Sequence, residues 1–127
     1  MNYSVYQIQY SQTDIDEINA EKPNAKRTAK MEMDFDFSGN KIGGYADKAL
    51  EAGLYTHVSN IEADSANQVF EIGNIGPESA ITRFSRMHSL SVGDIIVDEE
   101  GQVIVVAPVG FVAFGFRPKM NIVAEVA

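Results

Sequence analysis

The sequence predicts an α+β fold: a small mixed β-sheet with helices packed on one face, closed by a C-terminal β-hairpin. Three observations carry this expectation. Segments with strand and helix signatures alternate along the chain. Met31–Phe37 (MEMDFDF) alternates apolar and acidic residues with the two-residue period of a strand. Met87–Phe114 reads as Ser/Gly punctuation, a strand, an acidic turn, and a second apolar strand running past a Pro-Val-Gly break. At 127 residues, with 45% hydrophobic and 22% charged residues, the chain is expected to form one globular domain, 1–127, around one core.

The elements follow in order. Ser4–Tyr10 (SVYQIQY) is rich in β-formers and predicts the first strand. Thr13–Ala20 starts with Thr13 and carries Asp16 and Glu17 in its first turn, which predicts a short helix. Residues 22–30, broken by Pro23 and holding four bases, read as a basic mobile loop. Met31–Phe37 is the next strand, with Met31, Met33, Phe35 and Phe37 on one face and Glu32, Asp34 and Asp36 on the other. Ser38–Gly44 is a glycine-rich turn. Tyr45–Ala52 has helical spacing and ends at Gly53, and Leu54–Ile61 reads as a strand. Ala63–Ile72 predicts a helix, capped by Asp64 or Ser65. Pro77 opens another, Glu78–Arg86. Ser91–Asp98 and Gln102–Ala107 form the hairpin across Asp98-Glu99-Glu100-Gly101, and Phe111–Phe116 resumes as a strand or bulged extension. Residues 117–127 form an apolar tail, expected to pack on the body or on a second copy.

Composition excludes several functions. Without cysteine there is neither a disulfide framework nor a thiolate zinc site. No signal-peptide pattern or membrane-length apolar run is present, so the chain reads as cytoplasmic, with no membrane partner. The net charge of −8 is uneven: residues 1–30 hold four acids and four bases, whereas residues 31–127 hold fourteen acids and six bases. Phosphate backbones repel such a domain, which argues against direct nucleic-acid binding. Basic protein surfaces attract it. The simpler reading of the same charge is solubility.

Tyr6-Gln7-Ile8, Leu54-Tyr55, the run Ile81…Phe84-Ser85-Arg86-Met87-His88-Ser89-Leu90-Ser91-Val92-Gly93-Asp94-Ile95-Ile96, and Gly110-Phe111 together resemble the YodL-like domain family. Its members pair a short "YQL"-type strand with an S-[LM]-S-V-G-D phrase and a final hairpin closing on "GF". The likeness covers residues 44–114 well and the first strand loosely; Met31–Phe37 and the tail lie outside it. It implies a small accessory protein of phages or conjugative elements, with no enzymatic activity attached to the signature. The signature also has a plain structural reading. Ser89 and Ser91 bond local backbone, Gly93 takes a backbone angle closed to other residues, Asp94 caps a neighbouring turn, and Ile95–Val97 are buried.

Candidate sites follow from these patterns. Glu32, Asp34 and Asp36 form an acidic row which, with Asp98, Glu99 and Glu100 at the hairpin tip, would contact a host protein through its basic surface. A solvated edge strand is the simpler account of that row. The glycine turn with Gly39, Lys41, Gly43 and Gly44, together with His88 and Asp94, would serve an alternative small-ligand or nucleotide site. It lacks both P-loop and dinucleotide spacing, and a plain tight turn accounts for it as well. His57 and His88 would bind a metal only if the fold brought them together with Asp94, Asp64 or Glu62. No nucleophile elbow, local catalytic triad or cofactor motif is present, so a non-enzymatic protein without cofactors is expected. The tail and five methionines leave room for a homodimer or a larger structural, virion-associated assembly.

Overall fold

The computed structural model describes residues 1–116. Its centre is strand β1 (Asn2–Ile8), in which every residue from Tyr3 to Ile8 is buried. A strand is buried on alternate residues when one sheet face is covered, and on consecutive residues when both are. Around it, β2 (Tyr55–Glu62), β3 (Ile81–Arg83), β4 (Ile95–Val97), β5 (Gln102–Val106) and β6 (Phe111–Phe116) complete one sheet in the order β3-β2-β1-β4-β5-β6. The α+β class and the C-terminal hairpin are as the sequence predicts. The sheet is antiparallel at every pairing rather than mixed.

Helices lie on both faces, not one. Tyr6, Ile8, Ile95, Val97, Val103 and Val105 meet Ala29 and Met33 of α2 (Ala25–Asp34) and Ile42, Ala46 and Ala49 of α3 (Ile42–Glu51). Tyr3, Val5, Ile61, Ile96 and Val106 meet Val69 and Ile72 of α4 (Ala66–Ile75), with Leu90. Each fully buried aliphatic side chain contributes roughly 1.5–3 kcal/mol. α4 approaches closely because Gly73 has no side chain: a Cβ there would lie 2.6 Å from Leu90 Cδ1.

The stretch Met31–Phe37 is not a strand. Residues 31–34 are the second half of α2, and Phe35 is its C-cap. The basic segment 22–30 is likewise not a free loop, because α2 starts at Ala25. Three causes favour the helix. The Asn24 side chain accepts from Arg27 N at 2.9 Å, an N-cap. Ala25–Met33 is built from good helix formers. Ala29 and Met33, four residues apart, are the side chains that α2 buries. The two-residue alternation is real in the sequence, but only Met33 of its four apolar members reaches the core. Lys26 Nζ bonds Gln9 O and Asp14, at 2.8 and 2.7 Å, and Lys30 Nζ bonds Val92 O at 3.1 Å, so two of the four bases fold onto the body.

The expected helix Glu78–Arg86 is a single 3₁₀ turn, Glu78–Ala80, followed by β3. The β-branched pair Ile81-Thr82 joins the ladder opposite Ile61 and Asn60, where open hydrogen-bonding groups of β2 outweigh a short helix. The first helix, α1 (Gln12–Asn19), is capped by Ser11 rather than Thr13, in a reciprocal box with Asp14. Residues 117–127, the predicted tail, lie outside the described residues.

Candidate functional site

The Ser89–Asp94 signature forms a tight turn at the entry to β4. Asp94 N donates to Ser91 O at 3.1 Å, and Gly93 sits at φ 92°, the left-handed region that favours glycine. Asp94 Oδ2 accepts from Ser91 N at 2.9 Å and from Gln7 Nε2 at 3.0 Å. The Gln7 amide also grips the main chain of His88 from both sides. Its Nε2 donates to His88 O at 2.9 Å, and its Oε1 accepts from His88 N at 3.2 Å. Other elements bind the same turn: Tyr55 Oη donates to Gly93 O at 2.6 Å, Lys30 Nζ to Val92 O, and Gly93 N to Val106 O at 2.9 Å. The signature therefore ties β1, β2, β5 and α2 together. Gly93 and Ile95–Val97 take the structural parts the sequence assigns them, whereas Asp94 caps its own turn and not a neighbouring one.

Asp94 is 1% exposed. Burial pushes its carboxyl up to about 6, against the opposing pull of the Ser91 amide, His88, Lys30 and Gln7. Burial also raises the Tyr55 hydroxyl, with the Asp94 carboxylate adding to the effect. The His88 ring is solvent-exposed, with Nδ1 2.8 Å from Ser89 O. A carbonyl only accepts, so Nδ1 carries the proton and Nε2 is the free nitrogen of the neutral ring. Next to it, a cleft of about 270 Å³ separates the end of α4 from Met87–Ser89, with Asn74, Glu78 and Arg83 on its walls. His57 is placed differently: it stacks on Tyr6, with ring centroids 4.7 Å apart, and bonds Asn60 Oδ1 at 2.8 Å. Among the described residues, no group of three His, Asp or Glu side chains is arranged to hold a metal ion.

The glycine turn holds an anion of its own. Asp36 Oδ2 accepts from Lys41 N at 2.8 Å, and Ile42 N adds a further bond. Asp36 Oδ1 accepts from Ser38 Oγ at 2.9 Å. The Lys41 amide is the chief reason that Asp36 ionises below the usual carboxylate range. Asp36 thereby does for α3 what Lys41, at its N-cap position, does not. Gly43 lies inside α3 rather than in the turn, and a Cβ there would be 3.2 Å from Phe114 Cβ. Gly39 lies near Pro108, and Gly44 faces open space. The start of α3 thus packs by β6 and Gly39 of the turn lies by Pro108, whereas Gln7 of β1 holds His88 and Asp94, so the two parts of the alternative ligand site are held by different elements. Replacing Asp36 with alanine is expected to lower the melting temperature by about 4 °C, the effect of losing one helix cap. Thermal unfolding followed by circular dichroism checks this, and an unchanged melt contradicts it.

The acidic row is regrouped. Asp34 is exposed on α2, Glu32 borders an apolar groove of about 390 Å³ between α2 and α3, and Asp36 is taken by the turn. At the hairpin tip Asp98 Oδ1 accepts from Glu100 N and Gln102 N at 3.0 and 2.9 Å, holding the turn, and Glu99 accepts from Asn2 N. Glu62 and Asp64 join this end: the Met1 amine lies 3.1 Å from Glu62, and Glu62, Glu99 and Asp64 together raise its proton affinity. Sequence reasoning missed Gln7, Tyr55 and Lys30 as partners of the signature. For Gln7 a signal was available, because its alternation with Tyr3 and Val5 puts a polar side chain on an apolar face.

No family model matches the chain, and neither a curated protein nor a solved structure matches it. The YodL-like resemblance rests on the quoted residues alone. What the fold and site define is an α+β domain with a structural signature turn and a separate acidic end. Among the described residues, no helix is long and apolar enough to cross a membrane.

Proposed function

We propose that this chain is a small, non-enzymatic binding module that attaches to a protein with a basic surface and blocks or modulates it. The observation that carries the reading is the gathering of Glu62, Asp64 and Glu99 around the Met1 amine at one end of the sheet, beside the hairpin tip with Glu100, where three carboxylates outnumber the one amine that Glu62 pairs. Like charges held together project a field beyond the surface and speed encounter with an opposite one. The YodL-like resemblance supports a phage or mobile-element origin, on which reading the partner is a host protein in the cytoplasm of the infected cell. Asp94, Asp36 and Asp98 are committed to internal hydrogen bonds and serve the fold.

Affinity capture from a lysate of the source cells, at low salt and then high salt, tests the reading. A single basic protein released by salt is the expected result. A partner that survives high salt contradicts an electrostatic mechanism.

A further inference from the structure

Met31–Phe37 alternates apolar and acidic side chains, and the fold turns most of its apolar members to solvent. Met31 is 43% exposed, Phe35 64% and Phe37 78%, whereas Met33 is fully buried. Met31 and Phe35, four residues apart at the end of α2, share a face. Phe37 meets Phe35 edge to face, with ring centroids 6.2 Å apart. Scattered exposed apolar residues are ordinary; a group of them marks a contact surface. Aromatic residues and methionine are the types enriched in the cores of protein interfaces.

Charge decides the occupant. Asp34 flanks Met31 and Phe35 with its side chain 47% exposed, held only loosely by Lys30 Nζ at 3.7 Å. Glu32 stands at the rim of the adjoining groove between α2 and α3, whose lining also includes Lys48 of α3. A second copy docked here would set these carboxylates near their own equivalents in a chain of net charge −8, which is repulsive. A basic segment would pair with them instead. We propose that Met31, Phe35 and Phe37, flanked by Glu32 and Asp34, form the docking surface for a basic polypeptide segment that alternates large apolar residues with lysine or arginine. This rests on the reading of the chain as a binder of a basic protein, and it moves the close contact from the hairpin tip to the end of α2. The acids around Glu99 then act at longer range, on the encounter.

A displayed library of random twelve-residue peptides, selected against the purified full chain, tests this. The enriched peptides are then measured against the double variant Phe35→Ser/Phe37→Ser and against Glu99→Gln/Glu100→Gln. Both pairs lie at the surface, and an unchanged melting temperature verifies the fold of each variant. The expected result is enrichment of peptides combining Lys or Arg with large apolar residues, whose affinity falls at least tenfold in the phenylalanine variant and less than threefold in the glutamate variant. Basic peptides that bind the phenylalanine variant undiminished, yet lose affinity in the glutamate variant, overturn this inference and leave the proposed function standing. Enriched peptides without positive charge, or no enrichment, overturn both. Self-association of the wild type that the phenylalanine variant abolishes, seen by sedimentation, assigns the patch to a second copy and also overturns it.

Discussion

Replacing Gln7 with leucine is expected to lower the unfolding free energy by about 3 kcal/mol or more, among the largest single-residue losses in this fold. The size follows from what one amide satisfies. Gln7 is fully buried and donates both to the Asp94 carboxylate and to His88 O, while accepting from His88 N. Leucine leaves a buried carboxylate with one of its donors missing and strips two partly buried main-chain groups of their partner. Each unsatisfied buried group costs roughly 1–3 kcal/mol. Urea unfolding measures the loss. Adding Asp94→Leu should cost less on the Gln7→Leu background than on the wild type, because the carboxylate's donor is already gone. A loss below about 1 kcal/mol for Gln7→Leu would mean that the amide is not the clamp described here.

The second large effect is a dependence of stability on pH that runs opposite to that of most carboxylates. Burial raises the Asp94 carboxyl in the folded chain from an ordinary 3.8 to about 6. Between those values the folded state keeps a proton that the unfolded state has released. The stabilisation is complete below the ordinary value, is lost as pH rises through about 6, and is level above it. The whole step is on the order of 3 kcal/mol. Asp14, Asp36 and Glu78 run the other way: hydrogen-bond donors, Lys26 first for Asp14, the Lys41 amide for Asp36 and Arg83 for Glu78, depress them, so their contributions are lost at lower pH. The variant Asp94→Asn separates the two. Its carbonyl oxygen accepts from Ser91 N and Gln7 Nε2 as the carboxylate does, without a charge to bury. Urea unfolding from about pH 4 to about pH 8 should show the variant gaining on the wild type up to about pH 7, with no further change above it. Curves that run parallel throughout would contradict the assignment.

Much of the fold was legible in the sequence wherever local pattern and tertiary burial agree. Ile95-Ile96-Val97 and Gln102–Val106 pair across a turn ending in Gly101, as their apolar runs and acidic punctuation indicate. Gly93 does take a positive φ; Asp94 caps its own turn, where the sequence suggested a neighbouring one. Legibility failed where a short window held two patterns. Within Met31–Phe37 the two-residue period is complete, but the feature that decides for a helix lies upstream, in the Asn24 cap and Ala29. Ile81–Arg83 failed for a different reason: a three-residue strand is made by its neighbour, since only the register with Ser59–Ile61 defines it.

The candidate site was less legible than the fold, because its decisive contacts span the chain. Gln7 and Asp94 are 87 positions apart, and nothing local to either names the other. Asp36 looked like one of three equivalent acids, yet it differs from Asp34 and Glu32 because the chain turns back after Ser38 and brings the Lys41 amide to it. The acids at the hairpin tip were legible as a charged turn, but their companions Glu62 and Asp64 come from the far end of β2.

On the proposed function, this domain works through an acidic surface on a basic partner. The most direct test is the affinity of the captured partner as a function of salt, for the wild type and for variants with Glu32 and Asp34, or Glu62, Asp64, Glu99 and Glu100, changed to their amides. Affinity is expected to fall steeply with salt, and each set of amides to lower both the affinity and its salt dependence. An affinity indifferent to salt, and equal in all three proteins, would contradict it.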